Sequence, residues 1–323
     1  MTPAQTTGLT PTVSVVLATY NYAQFLAESV RSVLDQTFED LELIVVDDGS
    51  SDETANVLRQ FGDERRVMCI RQAHRGPAAA FNRGLAQAHG RYVALQAADD
   101  AWLPTKLARQ VAMLDRQPHV GIVYTDTLVV DAQGKLLRRH FEKSPCSPAV
   151  GWVLPQLLLS NFVPASSVLI RADALARVGA HDERLEVCED WDLWLRIAEH
   201  FAFAYVDEPL LRVRRHAWNT HLHRLPMVRD SLRVLERFPS VVVPWEALGL
   251  DLKARAFANA HARAAVDLYA AGAPRTALGH LARAVALDWR ALSRQQLKLA
   301  VKCGLGSVGP DSAARRARQG SGP

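Results

Sequence analysis

Three short apolar runs, each stopping at polar or acidic residues, constrain the fold of this chain more than any other feature. Residues 13–18 (VSVVLA) end at Thr19-Tyr20-Asn21, residues 41–46 (LELIVV) end at Asp47-Asp48-Gly49, and the run opened by Arg91-Tyr92-Val93 ends at Ala98-Asp99-Asp100. Runs this short, rich in β-branched residues and almost wholly apolar, suit parallel strands covered on both faces. Helical patterns separate them: residues 23–36, with Phe25, Leu26, Val30, Val33 and Leu34 on one stripe, then a helix ending at Phe61, then residues 78–88. Alternating strand and helix predicts an α/β fold. Ligands of open parallel sheets bind beyond the carboxyl ends of the strands, so Thr19, Asp47/Asp48 and Asp99/Asp100 are expected on one edge.

Neighbouring side chains on a strand face opposite ways, so Asp99 and Asp100 can serve one ligand only if the backbone turns there. Such a pair suits a hard cation or a ribose; the competing local explanation is a cap for the helix that Pro104 starts. Asp52 and Glu53 are explained by capping of the helix that follows them. The loop after the first strand lacks a glycine fingerprint, which argues against a dinucleotide-binding unit. His74 and Arg75 fall in a loop on the ligand side, where Arg75 can meet a phosphate or stay solvated. Glu189 and Asp190 open an amphipathic helix over residues 189–198, where the helix dipole alone favours acids.

Further along, the pattern predicts a helix over residues 102–116, a strand over 120–124, a turn-rich stretch from 126 to 148 with a hairpin turn at Asp131-Ala132-Gln133-Gly134, a strand over 166–170, and two more over 203–206 and 209–214, the last at an edge. After Leu222 the character becomes helical. Residues 254–271 and 275–287 form two alanine-rich helices joined by Gly272-Ala273-Pro274, with the spacing of one tetratricopeptide-like hairpin. The domain reading is a flexible leader over 1–12, an α/β domain over 13–222, a helical extension over 223–303 and a disordered basic tail over 304–323.

With 323 residues and 49% hydrophobic content the chain can bury a substantial core. No membrane span or signal peptide is evident, so the expectation is a cytoplasmic protein. Cys69, Cys146, Cys188 and Cys303 are scattered, which suggests neither a zinc site nor a disulfide framework. The net charge of +4, part of it in Arg315-Arg316-Ala317-Arg318, suits anionic small molecules or a peripheral membrane contact through the tail. There is no nucleic-acid motif.

From about Val13 to His216 the chain resembles the inverting nucleotide-sugar glycosyltransferases of the GT-A fold, glycosyltransferase family 2. The resemblance is carried by Val15-Val16-Leu17-Ala18-Thr19-Tyr20-Asn21, Gln36-Thr37-Phe38, Val45-Val46-Asp47-Asp48-Gly49-Ser50, Asn82 before Gly90-Arg91-Tyr92, Ala98-Asp99-Asp100, Glu189-Asp190-Trp191 and Arg214-Arg215-His216. It implies a Rossmann-like mixed sheet with helices on both faces, followed by the helical extension. It also implies a nucleotide-diphosphate sugar donor, a UDP-sugar favoured, bound by Thr19, Tyr20, Asn21, Asp48, Arg75, Asn82 and Asp99. Asp48 would bond the base edge and Asp99 the ribose or metal. Asp100, with His216 as a further ligand, would hold a Mg²⁺ or Mn²⁺ ion, and Asp190 would be the catalytic base. The chain departs from the family pattern at Ala97, where many members have Asp, and at Phe81, where many have Arg.

The chemistry is coherent by itself. A sugar diphosphate leaves with negative charge that a divalent cation can neutralise, and a carboxylate on the other side can take the acceptor proton. The acceptor class left open is a glycan, a lipid-linked glycan or a protein. The reading from a different class is a nucleotide-sugar-binding module without catalysis whose helical extension recruits a partner, favoured by Ala97 and Phe81.

Overall fold

The computed structural model describes residues 10–141, 147–217, 219, 224–238, 243–293, 296 and 298. Most of the expected leader, the whole tail from 304 onward and the expected boundary at 222 lie outside these residues. The chain divides into two compact units, one of Met1–Leu157 with Asn161–Ala217 and one of Leu158–Ser160 with Trp218–Pro323.

The first unit alternates strand and helix as β1 (Val13–Thr19), α1 (Ala23–Leu34), β2 (Leu41–Asp47), α2 (Thr54–Arg59), β3 (Val67–Arg71), α3 (Pro77–Leu85), β4 (Tyr92–Ala97), β5 (Ala101–Trp102), α4 (Lys106–Arg116), β6 (Val120–Asp131), β7 (Leu136–Arg139), α5 (Leu154–Leu159), β8 (Leu169–Arg171), α6 (Ala172–Val178), α7 (Glu189–Ala198) and β9 (Ala202–Arg215). Helix α5 runs across into the second unit. Nine strands among the described residues make one sheet in the order β3-β2-β1-β4-β8-β6-β9-β5, with β7 paired to β6. Strands β3, β2, β1 and β4 are parallel. Strand β8 runs antiparallel to β4 and β6, and so makes the sheet mixed.

The apolar runs are explained by two-sided burial. Val15, Leu17, Leu43 and Val45 pack with Leu26, Val30 and Val33 of α1 and with Leu107, Val111 and Leu114 of α4. On the opposite face Ile44 and Val46 pack against Ala80 of α3. The register pairs Thr19 with Asp47 and Ala18 with Ala97, so the polar ends of β1, β2 and β4 emerge together on one edge, as the sequence predicts.

The later elements differ from their sequence readings. Trp102 starts no helix: it sits in β5, opposite Leu211 of β9, and α4 begins only at Lys106, beyond Pro104. The predicted strands over 203–206 and 209–214 are one strand, β9, lying between β6 and β5 and not at an edge. Pro209 has no N–H to offer the ladder, and the β6–β9 register shifts on both sides of Asp126, its partner. That irregularity made the sequence look like two segments. Strand β6 likewise continues to Asp131, through part of the stretch read as irregular, and the hairpin turn at 131–134 joins it to β7: the Asp131 carboxylate accepts the backbone N–H groups of Gln133 and Lys135.

The second unit contains α8 (Arg224–Arg237), α9 (Trp245–Leu248), α10 (Leu250–Ala270) and α11 (Pro274–Asp288). Helices α10 and α11 form the expected hairpin: Ala265 and Leu268 meet Ala277 and Leu281, and Gly272 takes the positive φ of the turn before Pro274 opens α11. Among the described residues no helix is long and apolar enough to cross a membrane.

Gly90 marks the closest approach in the sheet. Its N–H donates to Ser14 Oγ at 2.7 Å, and a Cβ there would meet the Ser14 backbone N at 2.5 Å and the Tyr92 carbonyl oxygen at 2.8 Å. These backbone atoms cannot move without disturbing β1–β4 pairing. Gly90→Ala is therefore expected to destabilise the protein by about 3 kcal/mol, the upper part of the overpacking range, and to lower the melting temperature by several degrees. A melting curve that superposes on the parent would refute the close approach.

Candidate active site at the carboxyl edge of the sheet

After β4 the chain turns sharply, and the two acids separate. The Asp100 N–H closes the turn on the Ala97 carbonyl at 3.2 Å. Its carboxylate is buried and accepts the Arg214 N–H at 3.1 Å and a hydrogen bond from the Ser166 hydroxyl. Burial, with the neighbouring Asp99 charge added, pushes the Asp100 carboxyl up to about 8 against those two bonds. Asp99 faces the other way, with Oδ2 2.9 Å from His216 Nε2. The His216 ring, 2% exposed, is stacked on Phe25 and edge-on to Tyr22. Neither acid caps α4, whose first residue is preceded by Thr105 with no side-chain cap.

Arg214 supplies the compensating charge. It is buried, donates to the Asp99 carbonyl, the Ala132 carbonyl and Glu28 Oε2, and lies over the Phe25 ring at 4.9 Å. The sheet brings it there because β9 is long enough to carry Arg214 past the end of β4.

Asp190 occupies the first turn of α7. Its Oδ1 accepts the Trp191 N–H at 2.6 Å and its Oδ2 accepts from Asn161 Nδ2 at 3.2 Å. Burial raises its pKa above the ordinary carboxylate value, opposed by those two bonds. The helix is entered through Cys188, which holds a left-handed conformation at φ 63°, a rare state for a non-glycine residue. The stretch that supports Asp190 through Asn161 also supports Asp100 through Ser166. It is pinned by Trp102 Nε1 to the Ser166 carbonyl at 3.0 Å and by Gln110 Nε2 to the Ser167 carbonyl at 2.8 Å.

Residues 14–173 match the family described as Glycosyl transferase family 2. EpsE of Bacillus subtilis (strain 168), described as a putative glycosyltransferase, is 32% identical over 212 residues, which cover 63% of this chain and 73% of EpsE. The chain belongs to glycosyl transferase family 2. An uncharacterized glycosyltransferase of Nostoc sp. is 30% identical over 223 residues, and one of Rickettsia felis 31% over 212; the matches cover 65% and 64% of this chain but only 66% and 35% of those relatives. Among solved structures, S. aureus TarS 1-349 superposes with a TM-score of 0.59 at 17% identity, over 91% of each chain, and it has been solved with UDP and with UDP-GlcNAc. The mannosyltransferase PcManGT of Pyrobaculum calidifontis, solved with GDP-Man and Mn²⁺, gives 0.59 at 20% identity over 94% of this chain and 82% of that one. At these identities the likeness is one of fold.

Within this glycosyl transferase family 2 fold, several residues expected at the donor hold loops in place. Asp48 is buried, and its carboxylate accepts from the Arg75 N–H at 2.9 Å, the Gly76 N–H at 2.8 Å and Gln72 Nε2 at 2.8 Å, with His74 Nδ1 also at 2.8 Å. Asn21, at φ 58°, accepts the Ser51 and Asp52 N–H groups on Oδ1 and donates its own N–H to Ser50 Oγ. Asn82 grips the segment before α7, accepting the His181 N–H and donating to the His181 carbonyl, both at 2.9 Å. Arg75 is ion-paired to Glu183 at 2.8 Å, and Asn82 Nδ2 also reaches Glu183 at 3.1 Å. Two expected residues keep ligand-facing features. Thr19 Oγ1 is buried without a hydrogen-bond partner, and Tyr20, 40% exposed, stacks on His74 with ring centroids 3.8 Å apart.

Of the residues expected at a metal, His216 meets Asp99, while the Asp100 carboxylate turns to the Arg214 N–H and the Ser166 hydroxyl. Among the described residues no group of three or more His, Cys, Asp and Glu side chains is arranged to hold a metal ion. Asp99 and His216 nevertheless form an oxygen and imidazole pair beside a second carboxylate whose proton affinity is raised by burial and, to a smaller extent, by the Asp99 charge. That donor set suits a cation such as Mn²⁺ whose remaining ligands come from a diphosphate. The sequence reading missed Asn161, Ser166, His181 and Glu183; spacing carries no signal for them, since each acts across the sheet edge.

The Asn82 geometry yields a test. Asn82→Ala should release the 181–183 segment, lower turnover by about tenfold or more and leave UDP affinity within about twofold, because the lost bonds lead toward Asp190 and not toward a nucleotide. Calorimetry showing a large loss of UDP binding with turnover at saturating donor intact would return Asn82 to the donor site.

Proposed function

We propose that this protein moves a hexose from a nucleotide-diphosphate sugar, a UDP-sugar favoured, to an acceptor hydroxyl with inversion at the anomeric carbon. Asp190 takes the acceptor proton. The observation that carries this reading is the state of Asp190, whose carboxylate is fixed by the Trp191 N–H and Asn161 while burial raises its pKa. A raised carboxylate pKa improves a general base that must work near neutral pH. One displacement suffices, so no covalent intermediate on the enzyme is called for.

Asp99 and His216 would hold a Mg²⁺ or Mn²⁺ ion, which when bound supplies positive charge to the departing diphosphate. Thr19 and Tyr20 would border the base, Asp48 and Asn21 would shape the loops around it, and Arg75 would meet a phosphate. A glycan, a lipid-linked glycan or a protein is the acceptor class, and synthesis of a surface polysaccharide or a related glycan on the cytoplasmic side is the setting that fits. Peripheral contact with a membrane through the basic tail belongs to the same proposal.

Asp190→Asn preserves shape and can still accept the Trp191 N–H. Sugar transfer should fall by about 10²–10⁴-fold, while UDP binding persists and the melting temperature holds or rises, since a buried charge is removed. Glu189→Gln is the control, because its side chain points about 100° away around the helix. The pH profile adds a sign. A base must be ionised, so the raised pKa places the acid limb of the rate above the ordinary carboxylate range near pH 4. The same shift stabilises the fold at low pH and is lost as pH rises through the raised value. Near-full turnover in Asp190→Asn, or an acid limb that survives in it, would end the assignment.

For the metal, Mn²⁺ titrated with and without UDP should bind more tightly when UDP is present, and Asp99→Ala should remove most of that coupling. Equal Mn²⁺ affinity in both titrations would exclude this site.

A further inference from the structure

The second unit carries a cleft that has no part in the transfer reading. It measures about 660 Å³, within the range of small-molecule sites, and is lined by Asp251, Arg255 and Asn259 from the start of α10 and by Asp288, Trp289 and Arg290 at the end of α11. The Asp288 carboxylate caps the 3₁₀ turn Trp289–Ala291, accepting the Arg290 N–H at 3.0 Å, and the Leu292 N–H donates to the Trp289 carbonyl at 3.2 Å. Trp289 thus stands on a closed turn with 69% of its surface in water. An indole left in that position forgoes roughly 2–3 kcal/mol of burial.

Charge in the lining is balanced. Asp288 lies 3.3 Å from Arg290 Nε and 4.0 Å from Arg255 Nε, and Asp251 supplies a second carboxylate, so two acids face two guanidinium groups. This decides among ligand classes. A phosphate-rich polymer or an anionic bilayer gains no net attraction from a neutral lining. An aliphatic chain would desolvate four charged groups and offer them no hydrogen bonds. A sugar ring presents an apolar face of C–H groups to an indole and, around its rim, hydroxyls that donate to carboxylates and accept from guanidinium and amide N–H groups.

We propose that this cleft binds a neutral oligosaccharide, with one ring stacked on Trp289 and its hydroxyls shared among Asp251, Asp288, Arg255 and Arg290. The inference goes beyond the transfer reaction and does not rest on it, since it is read as binding by the full chain. The probes are maltotetraose, cellotetraose, chitotetraose and mannotetraose, each followed by calorimetry and by tryptophan fluorescence. At least one should bind in the millimolar range or tighter, and Trp289→Ala should weaken it by about tenfold or more, with unchanged circular dichroism and UDP affinity, while Trp289→Phe retains part of the binding. The proposal fails if none of the four binds, or if binding is indifferent to Trp289→Ala. It fails equally if the full chain binds none of them but associates, in a Trp289-dependent way, with phosphatidylglycerol vesicles or with polyglycerol phosphate.

Discussion

Two hydrogen bonds from one short stretch, Asn161 to Asp190 and Ser166 to Asp100, hold the acids of the site in a fixed relation. The acids themselves come from distant parts of the chain, one from the end of β4 and the other from the first turn of α7. Neither is placed by its own element alone: a strand end and a first helical turn both leave a side chain several rotamers. The stretch removes that freedom because its own backbone is tied down by Trp102, Gln110 and, through Trp194 Nε1 at 3.3 Å, the Val163 carbonyl. The anchoring thereby fixes the direction of both carboxylates.

The second constraint is charge. Arg214 is the buried hub: its backbone N–H meets the Asp100 carboxylate, and its guanidinium meets the Asp99 carbonyl and the Glu28 carboxylate. Removing a buried charge from its partners costs several kcal/mol, so an isolated Asp100 carboxylate would not remain ionised there. Burial is the larger cause of the upward shift of Asp100 and the adjacent Asp99 charge the smaller, and the bonds from Ser166 and Arg214 offset only part of them. The cluster is generated by the fold: β9 must pass β4 to bring Arg214-Arg215-His216 to the acids.

The parallel half of the sheet was legible because the central strands β1, β2 and β4 are buried on both faces, so they are almost wholly apolar and end at polar residues. Beyond β5 that rule weakens. Strand β6 carries the buried Asp126, which Arg139 of β7 pairs, and β9 carries a proline within its length, and a period reading cannot tell an interrupted strand from two strands. The candidate site was legible to the same extent. The shared edge of Thr19, Asp48, Asp99 and Asp100 follows from the sheet. Asn161 and Ser166 carry no such signal, since they act through tertiary hydrogen bonds that leave no spacing in the sequence, and the turn at Ala97 decides which acid meets His216.

The difference between Asp48 and Arg75 shows what the local hydrogen bonds imply for a ligand. Asp48 is buried and engaged by two backbone N–H groups, an amide and an imidazole, so a base that took its carboxylate would have to displace partners that already satisfy it. Arg75 and Glu183 form an ion pair with both side chains largely in solvent, and such pairs are worth roughly 0–1 kcal/mol. A phosphate can therefore take Arg75 from Glu183 at almost no cost, whereas Asp48 can serve a nucleotide only with oxygen lone pairs that its present partners leave available. Asp48 acts first as the organiser of the 72–76 loop, and through the Tyr20–His74 stack it sets the surface that a base would meet.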